Sequence, residues 1–279
     1  MKHLKSFLDF LLYSNIFIAV CAAAMTVESF LFINSEFHWS YIAFVFSSTL
    51  TLYNFPVFFD DNFLPERSGR HQWVSENKKL LAALFMLGLL GTGTFALFFS
   101  IKFALWFSPV ALIAFAYFFP QTQLRGILGL KTFTVAFVWT CTTAIFPLLL
   151  YSDFNLPLSF VNANAAILLQ NFLFIFPLCL IFNVRDIEAD RKANVRTLPV
   201  IYGVKVTQLV CLIFLVLFSV LVAISLSLHQ ARTGLLISGV AAIGLIVFAS
   251  EKRSDYYYSL WVDGLILLQA ILIFSEIFF

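Results

Sequence analysis

The chain has 279 residues, of which 61% are hydrophobic and only 11% charged, with a net charge of +2. A soluble domain of this length would carry roughly 25% charged residues, and the mean hydropathy here is +0.95. A soluble globular protein is excluded, nothing marks nucleic acid as a partner, and the distribution of the few charges becomes the informative quantity.

A helix needs about 20 apolar residues to cross a hydrocarbon core, and a spanning segment must satisfy its own backbone hydrogen bonds. The apolar runs are far longer than the ~10-residue alternating segments of an outer-membrane barrel, so helices are predicted. In chain order nine spans are expected near 7–27, 40–59, 80–100, 104–120, 132–150, 163–182, 206–228, 233–250 and 259–278. The first is long enough to stay as a span rather than be cleaved as a signal. Its Asn15 reads as an interhelical hydrogen-bonding group or a cavity residue. Between Leu80 and Pro120 the only charge is Lys102. As one helix that stretch would reach about 60 Å, twice the core thickness, so a hairpin turning at Lys102 is predicted. Near the start of the ninth span, Asp263 is a site candidate as an intramembrane acid, or a group close enough to the interface to reach water.

With nine spans, one set of alternate loops holds every Lys and Arg except Lys102 and Arg232. Basic residues mark the cytoplasmic side, so the N-terminus is expected there, as in a multi-pass protein of a bacterial inner membrane. Cys21, Cys141, Cys179 and Cys211 fall inside predicted helices and read as small buried apolar residues. The four histidines share no metal-ligand spacing. Residues 1–279 read as one membrane domain without repeats, in which two cytoplasmic segments exceed turn length, about 60–79 and 183–205.

The second of these segments begins "NVRDIEADRKANVRTLPVIYG", 183–203. Asp186 and Asp190 are four apart, which puts both carboxylates on one helix face. Like charges at that spacing repel, but a hard divalent cation reverses the balance. Magnesium takes oxygen ligands and often binds through one or two carboxylates plus substrate phosphates. Arg185, Arg191, Lys192 and Arg196 are near enough in sequence to offer positive charge to phosphate oxygens. A diphosphate site and a topology-fixing loop with incidental acids both account for this pattern.

The order of residues closely resembles the second aspartate-rich signature of the UbiA superfamily of intramembrane prenyltransferases. There a DxxxD motif after the sixth of nine helices is followed by Arg, an Arg-Thr-Leu-Pro run and a Gly. Here these are Asp186, Asp190, Arg191, Arg196-Thr197-Leu198-Pro199 and Gly203. "YFFPQTQLRGILGLKTFTVAFVW", 117–139, is similar to the family's connector between helices four and five, whose Lys contributes to the diphosphate site; Lys131 holds that position. The resemblance implies an all-α, nine-helix UbiA-like bundle around a central cavity. An isoprenyl diphosphate would be held at the cytoplasmic end by Mg2+ between two aspartate-rich loops, its tail along the bundle wall. Its isoprenyl group would pass to an acceptor, aromatic or lipid. Asp186 and Asp190, with Asn183 assisting, would be metal ligands, and Lys131, Arg191 and Arg70 would bind the diphosphate.

One part of the pattern departs. The family's first motif is usually Asn-Asp-x-x-Asp-x-x-x-Asp, and the corresponding stretch is "YNFPVFFDDNFLPERSGRHQW", 53–73. With Asn54 as the family Asn, the acidic positions hold Phe55, Phe58 and Asn62. In one reading the loop is rearranged: Asp61 follows Asn54 at the spacing by which Asp190 follows Asn183, so Asp60 or Asp61, with Asn62, would hold a second metal, with Asn54 and Asp61 as its candidate ligands. In the other, that site is lost, since phenylalanine cannot ligate a cation and Pro56 would bend or end a helix. The loss would suit a non-catalytic relative that binds a polyprenyl lipid. A solute transporter is less well supported, because no paired broken helices are visible.

Overall fold

The computed structural model describes residues 2–58, 69–118, 129–155 and 157–279, and all regular structure among them is helical. Helices α1 (Lys2–Tyr13) and α2 (Ile16–Phe32) lie where one straight span was expected, yet they are bent by 61°. The break is at Asn15, with φ 64° and ψ 12°, a left-handed conformation that Asn tolerates better than most residues. Asn15 Nδ2 donates to Asn54 Oδ1 at 2.9 Å and to the Tyr53 carbonyl at 3.2 Å. Its Oδ1 accepts from Arg70 Nη2 at 2.9 Å. Polar contacts with distant segments therefore accompany a bend that the apolar run does not announce.

Helix α3 (Trp39–Asn54) packs on α2 and, beyond a short α4 (Gly69–Glu76), on α5 (Lys78–Ala96). The α3–α5 contact is close because Gly88 has no side chain: an added Cβ would stand 2.7 Å from Thr51 Oγ1 and 2.9 Å from the Ser47 carbonyl. Small residues let helices approach this way in membranes. The chain turns between Ala96 and α6 (Ile101–Phe118), beside Lys102, as the single charge in that stretch suggested. The outer faces of α5 and α6 leave Leu87, Leu90, Leu105 and Leu112 exposed. Lipid is the solvent that suits such a surface.

Helix α7 (Leu130–Thr140) continues through a π-turn at Cys141–Ile145 into α8 (Phe146–Tyr151). Next comes α9 (Leu158–Arg185), 28 residues long and so about 42 Å. A short α10 (Ile187–Lys192) separates it from α11 (Leu198–Ile224). Gly203 interrupts α11 with φ 83° and ψ 170°, a conformation that glycine adopts without steric cost. Helix α12 (Arg232–Val247) and a π-turn at Tyr257–Val262 lead to α13 (Asp263–Phe278).

Among the described residues six helical runs are long and apolar enough to cross a membrane, or seven if α1 and α2 form one bent span. A helix lies in each of the nine expected stretches, but α3 has only 16 residues and Ile101–Tyr117 is a shorter apolar helix. Length and composition thus give a helical membrane bundle without fixing nine crossings. Its interior is built on α2 and α9, where Ala19, Cys21, Met25, Phe174, Ile175 and Ile181 are buried. Deep inside, Glu28 Oε2 accepts from Gln269 Nε2 at 3.0 Å, and Gln269 Oε1 accepts from Ser238 Oγ at 2.9 Å. That polar chain ties α2, α13 and α12 together.

Candidate active site

A cavity of about 300 Å³ opens among α2, α7, α9, α10 and α13. The α9 wall is a helical stripe of Ile175, Leu178, Cys179, Phe182, Asn183 and Asp186. From Ile175 to Asp186 it runs about 16 Å at 1.5 Å per residue. Opposite lie Lys131, Thr132, Val135 and Trp139 of α7, Phe17 and Ile18 of α2, and Ser259, Asp263 and Ile266 of the last helical run. Charge collects where α9 meets α10, and the deeper wall is mostly apolar. Tyr53 and Trp139 meet there, the indole Nε1 donating to the phenol oxygen at 3.0 Å.

Asp186 terminates α9 and begins α10, and the Asp190 N–H donates to its carbonyl at 2.8 Å. The two acids therefore remain one turn apart across the helix junction, and both line the cavity. Arg185 grips Asp186 with Nε on Oδ1 at 2.7 Å and Nη2 on Oδ2 at 3.3 Å. Lys131 Nζ reaches Asp190 Oδ1 at 2.9 Å and Oδ2 at 3.1 Å. Burial alone would raise the Asp186 pKa, but Arg185, Lys131 and Arg70 outweigh it and hold the carboxyl below its usual range. Asp190 goes the other way: burial, reinforced by the Asp186 charge, pushes it up against the pull of Lys131. Neighbouring acids with opposed shifts are common where a site must hold charge.

Of the residues expected at the site, Asp186, Asp190, Asn183, Lys131 and Arg70 meet at this cavity. Asn183 Nδ2 donates to Thr132 Oγ1 at 2.7 Å. Arg191 does not join them; it is exposed and does not line the cavity. Adjacent helical residues point in different directions, so the position after Asp190 turns outward. Nor does Asn54 line it: fully buried, it donates through Nδ2 to the Ser14 and Leu50 carbonyls, and its Oδ1 accepts from Asn15. Asp61 lies outside the described residues. Arg185 was legible only as one of several nearby cations, whereas here it is the close partner of Asp186. Asp263, for which the interface was one option, faces the cavity, and its carbonyl accepts from Cys21 Sγ at 3.4 Å. The spacing Ser259, Asp263, Ile266 (i, i+4, i+7) is a signal in the sequence that could have placed these three on one face.

Among the described residues no group of three or more His, Cys, Asp or Glu is placed to hold a metal ion. The donor set still fits magnesium, which commonly uses one or two carboxylates and completes its shell with water and phosphate oxygens. Arg185 Nη1 and Arg70 Nε are buried without a hydrogen-bond partner among the described residues, donors of the kind an anionic ligand would satisfy.

The sequence model of the UbiA prenyltransferase family matches residues 73–261. The chain belongs to the UbiA prenyltransferase family. It is a multi-pass integral membrane protein of that family, and the matched region contains Lys131, Asp186 and Asp190. Its fold is similar to the apo structure of a UbiA homologue from Aeropyrum pernix K1, with a TM-score of 0.58 and 18% identity over 95% of this chain and 96% of that one. A UbiA homologue from Archaeoglobus fulgidus bound to DMAPP and Mg2+ gives 0.52 and 16% identity over 98% and 96%. A structure concerned with digeranylgeranylglyceryl phosphate synthase gives 0.54 and 18% over 99% and 98%. At these identities the likeness concerns the fold. No curated protein sequence matches the chain.

Proposed function

We propose that this UbiA protein is an intramembrane prenyltransferase that moves an isoprenyl group from an isoprenyl diphosphate to an aromatic or lipid acceptor. The observation that carries this reading is one cavity with Asp186, Asp190, Lys131, Arg185 and Arg70 at one end and an apolar wall leading away from them. The chain acts as one membrane domain, with the segments 60–79 and 183–205 flanking the diphosphate site. The N-terminus and both segments lie on the cytoplasmic side, and a bacterial inner membrane suits the basic-residue asymmetry.

Asp186 and Asp190 hold Mg2+, with the Asn183 amide beside them. When bound, that ion supplies Lewis-acid neutralisation of charge on the diphosphate. Lys131, Arg185 and Arg70 bind its oxygens and stabilise the charge that grows as the bond between the allylic carbon and oxygen breaks. The electron pair leaves with the diphosphate, a new bond forms from the allylic carbon to the acceptor, and the acceptor gives up a proton. Val135, Leu178 and Ile266 line the deeper wall and keep water from the allylic cation. Asp61 is the remaining candidate for a second metal, and Asn54 holds the bend at Asn15 rather than an ion.

Detergent-purified protein should release diphosphate from dimethylallyl or geranylgeranyl diphosphate in the presence of Mg2+ and a membrane lipid extract. Prenylated product identified by mass spectrometry would name the acceptor. Tight binding of polyprenyl lipid, with no diphosphate released under any condition, would replace this reading with the non-catalytic one. The degenerate first motif, with Phe55, Phe58 and Asn62 at the acidic positions, is the feature that would then explain it.

A further inference from the structure

All four carboxylate oxygens of Asp186 and Asp190 face a cation, two from Arg185 and two from Lys131. These are enclosed pairs: the side chains of Lys131 and Asp190 are 16% and 9% exposed, those of Arg185 and Asp186 14% and 21%. A divalent ion would therefore compete with two side chains for the oxygens it needs. We propose that Arg185 and Lys131 are exchange ligands, each holding a carboxylate until a divalent ion takes it and then passing to a diphosphate oxygen. The proposal rests on the prenyl diphosphate reading of this cavity and adds a control on how its two charged ligands enter.

A divalent ion arriving by itself would displace an ammonium and a guanidinium, and Asp263 is the one further acid among the described lining residues to receive either of them. Stranding an enclosed charge is strongly unfavourable. Diphosphate arriving by itself would meet two carboxylates already using the same N–H groups. Arriving together, the four charges re-pair: acid with metal, base with phosphate. The side chains suit the exchange. A guanidinium fork matches carboxylate and phosphate equally well, and an ammonium has three rotatable donors on a flexible stem. Arg185 Nη1, buried and without a hydrogen-bond partner among the described residues, is a donor held in reserve for that step. Because Arg185 adjoins Asp186 in the chain, a side-chain rotation is enough and no helix need move.

Direct contact between metal and phosphate would also couple their binding, so the test isolates the displaced side chains. Mn2+ binding, read by electron paramagnetic resonance, is measured without diphosphate on wild type, Arg185→Gln and Lys131→Gln, with thermal unfolding confirming that each variant is folded. Each substitution should tighten Mn2+ binding by about tenfold, within the usual range of coupling between sites. Each should weaken binding of inorganic diphosphate measured with Mn2+ present. In wild type, amine-reactive labelling of Lys131, followed by mass spectrometry, should rise with saturating Mn2+ and fall again when inorganic diphosphate is added. Unchanged or weaker Mn2+ affinity in both variants, or Lys131 labelling indifferent to Mn2+, would overturn the exchange and leave the diphosphate reading standing. Wild-type protein that takes up neither Mn2+ nor diphosphate, even together, would overturn both.

Discussion

The two sides of the cavity mouth are built from different chemistry. On the α9–α10 side, acids stand against cations: Arg185 with Asp186 and Lys131 with Asp190. On the α2–α3–α4 side, a guanidinium and two amides run in series, Arg70 to Asn15 to Asn54 to the Ser14 and Leu50 carbonyls. Ion pairs can be traded for other charges, whereas an amide chain with its donors and acceptors engaged holds a backbone in place. The first side is suited to ligand exchange and the second to fixing the bend at Asn15.

The contrast can be broken most decisively on the acidic side. Asp186→Asn or Asp190→Asn should lower Mg2+-dependent diphosphate release on the order of a thousandfold, since a Lewis acid supplies several kcal/mol of transition-state stabilisation. Activity indifferent to both changes would place the chemistry elsewhere. On the amide side, Asn54→Ala should cost about 1–3 kcal/mol of stability by leaving buried partners unsatisfied, read as a lowered unfolding temperature. Mn2+ affinity should stay level. The reverse result, weaker metal binding at unchanged stability, would make Asn54 a ligand after all. Asn15→Ala removes the acceptor for Arg70 and the donor to Asn54, and puts a less tolerant residue at a left-handed position, so it should expose α4 to proteolysis at a similar cost of about 1–3 kcal/mol. The smallest effect is expected from Arg191→Gln: an exposed position usually shifts stability by less than about 0.5 kcal/mol, with diphosphate release unaltered. A large loss there would restore the role that the motif alone suggested.

Sequence patterns carried the bundle and the acidic wall well, because both rest on local regularities. Apolar run length marks helices, and the four-residue interval of Asp186 and Asp190 survives the junction between α9 and α10. Lys131 was legible through motif order, and Arg70 only as one of the basic residues of the first loop. The bend at Asn15 was not, because its partner Arg70 lies 55 residues along the chain and the flanking run is apolar on both sides. Arg185 and Arg191 were indistinguishable by charge; only helical phase separates the enclosed one from the exposed one. Asp263 was undecided for a related reason. Proximity to a span end suggests the interface, and the rotation of the last helical run turns it to the lumen.

That rotation has a consequence of its own. The run enters through the π-turn Tyr257–Val262, and such a turn takes up one residue more than an ordinary helical turn. Excising a single residue from it would turn it into an ordinary α-helical turn, with the segments on either side close to their present phase. Ser259 and Asp263 would still be three or four residues apart, on one helix face, and the apolar content of the run would scarcely alter, but the wider turn beside the cavity would be gone. One surplus residue is thus taken up beside the lumen while the backbone of a lipid-embedded helix stays unbroken.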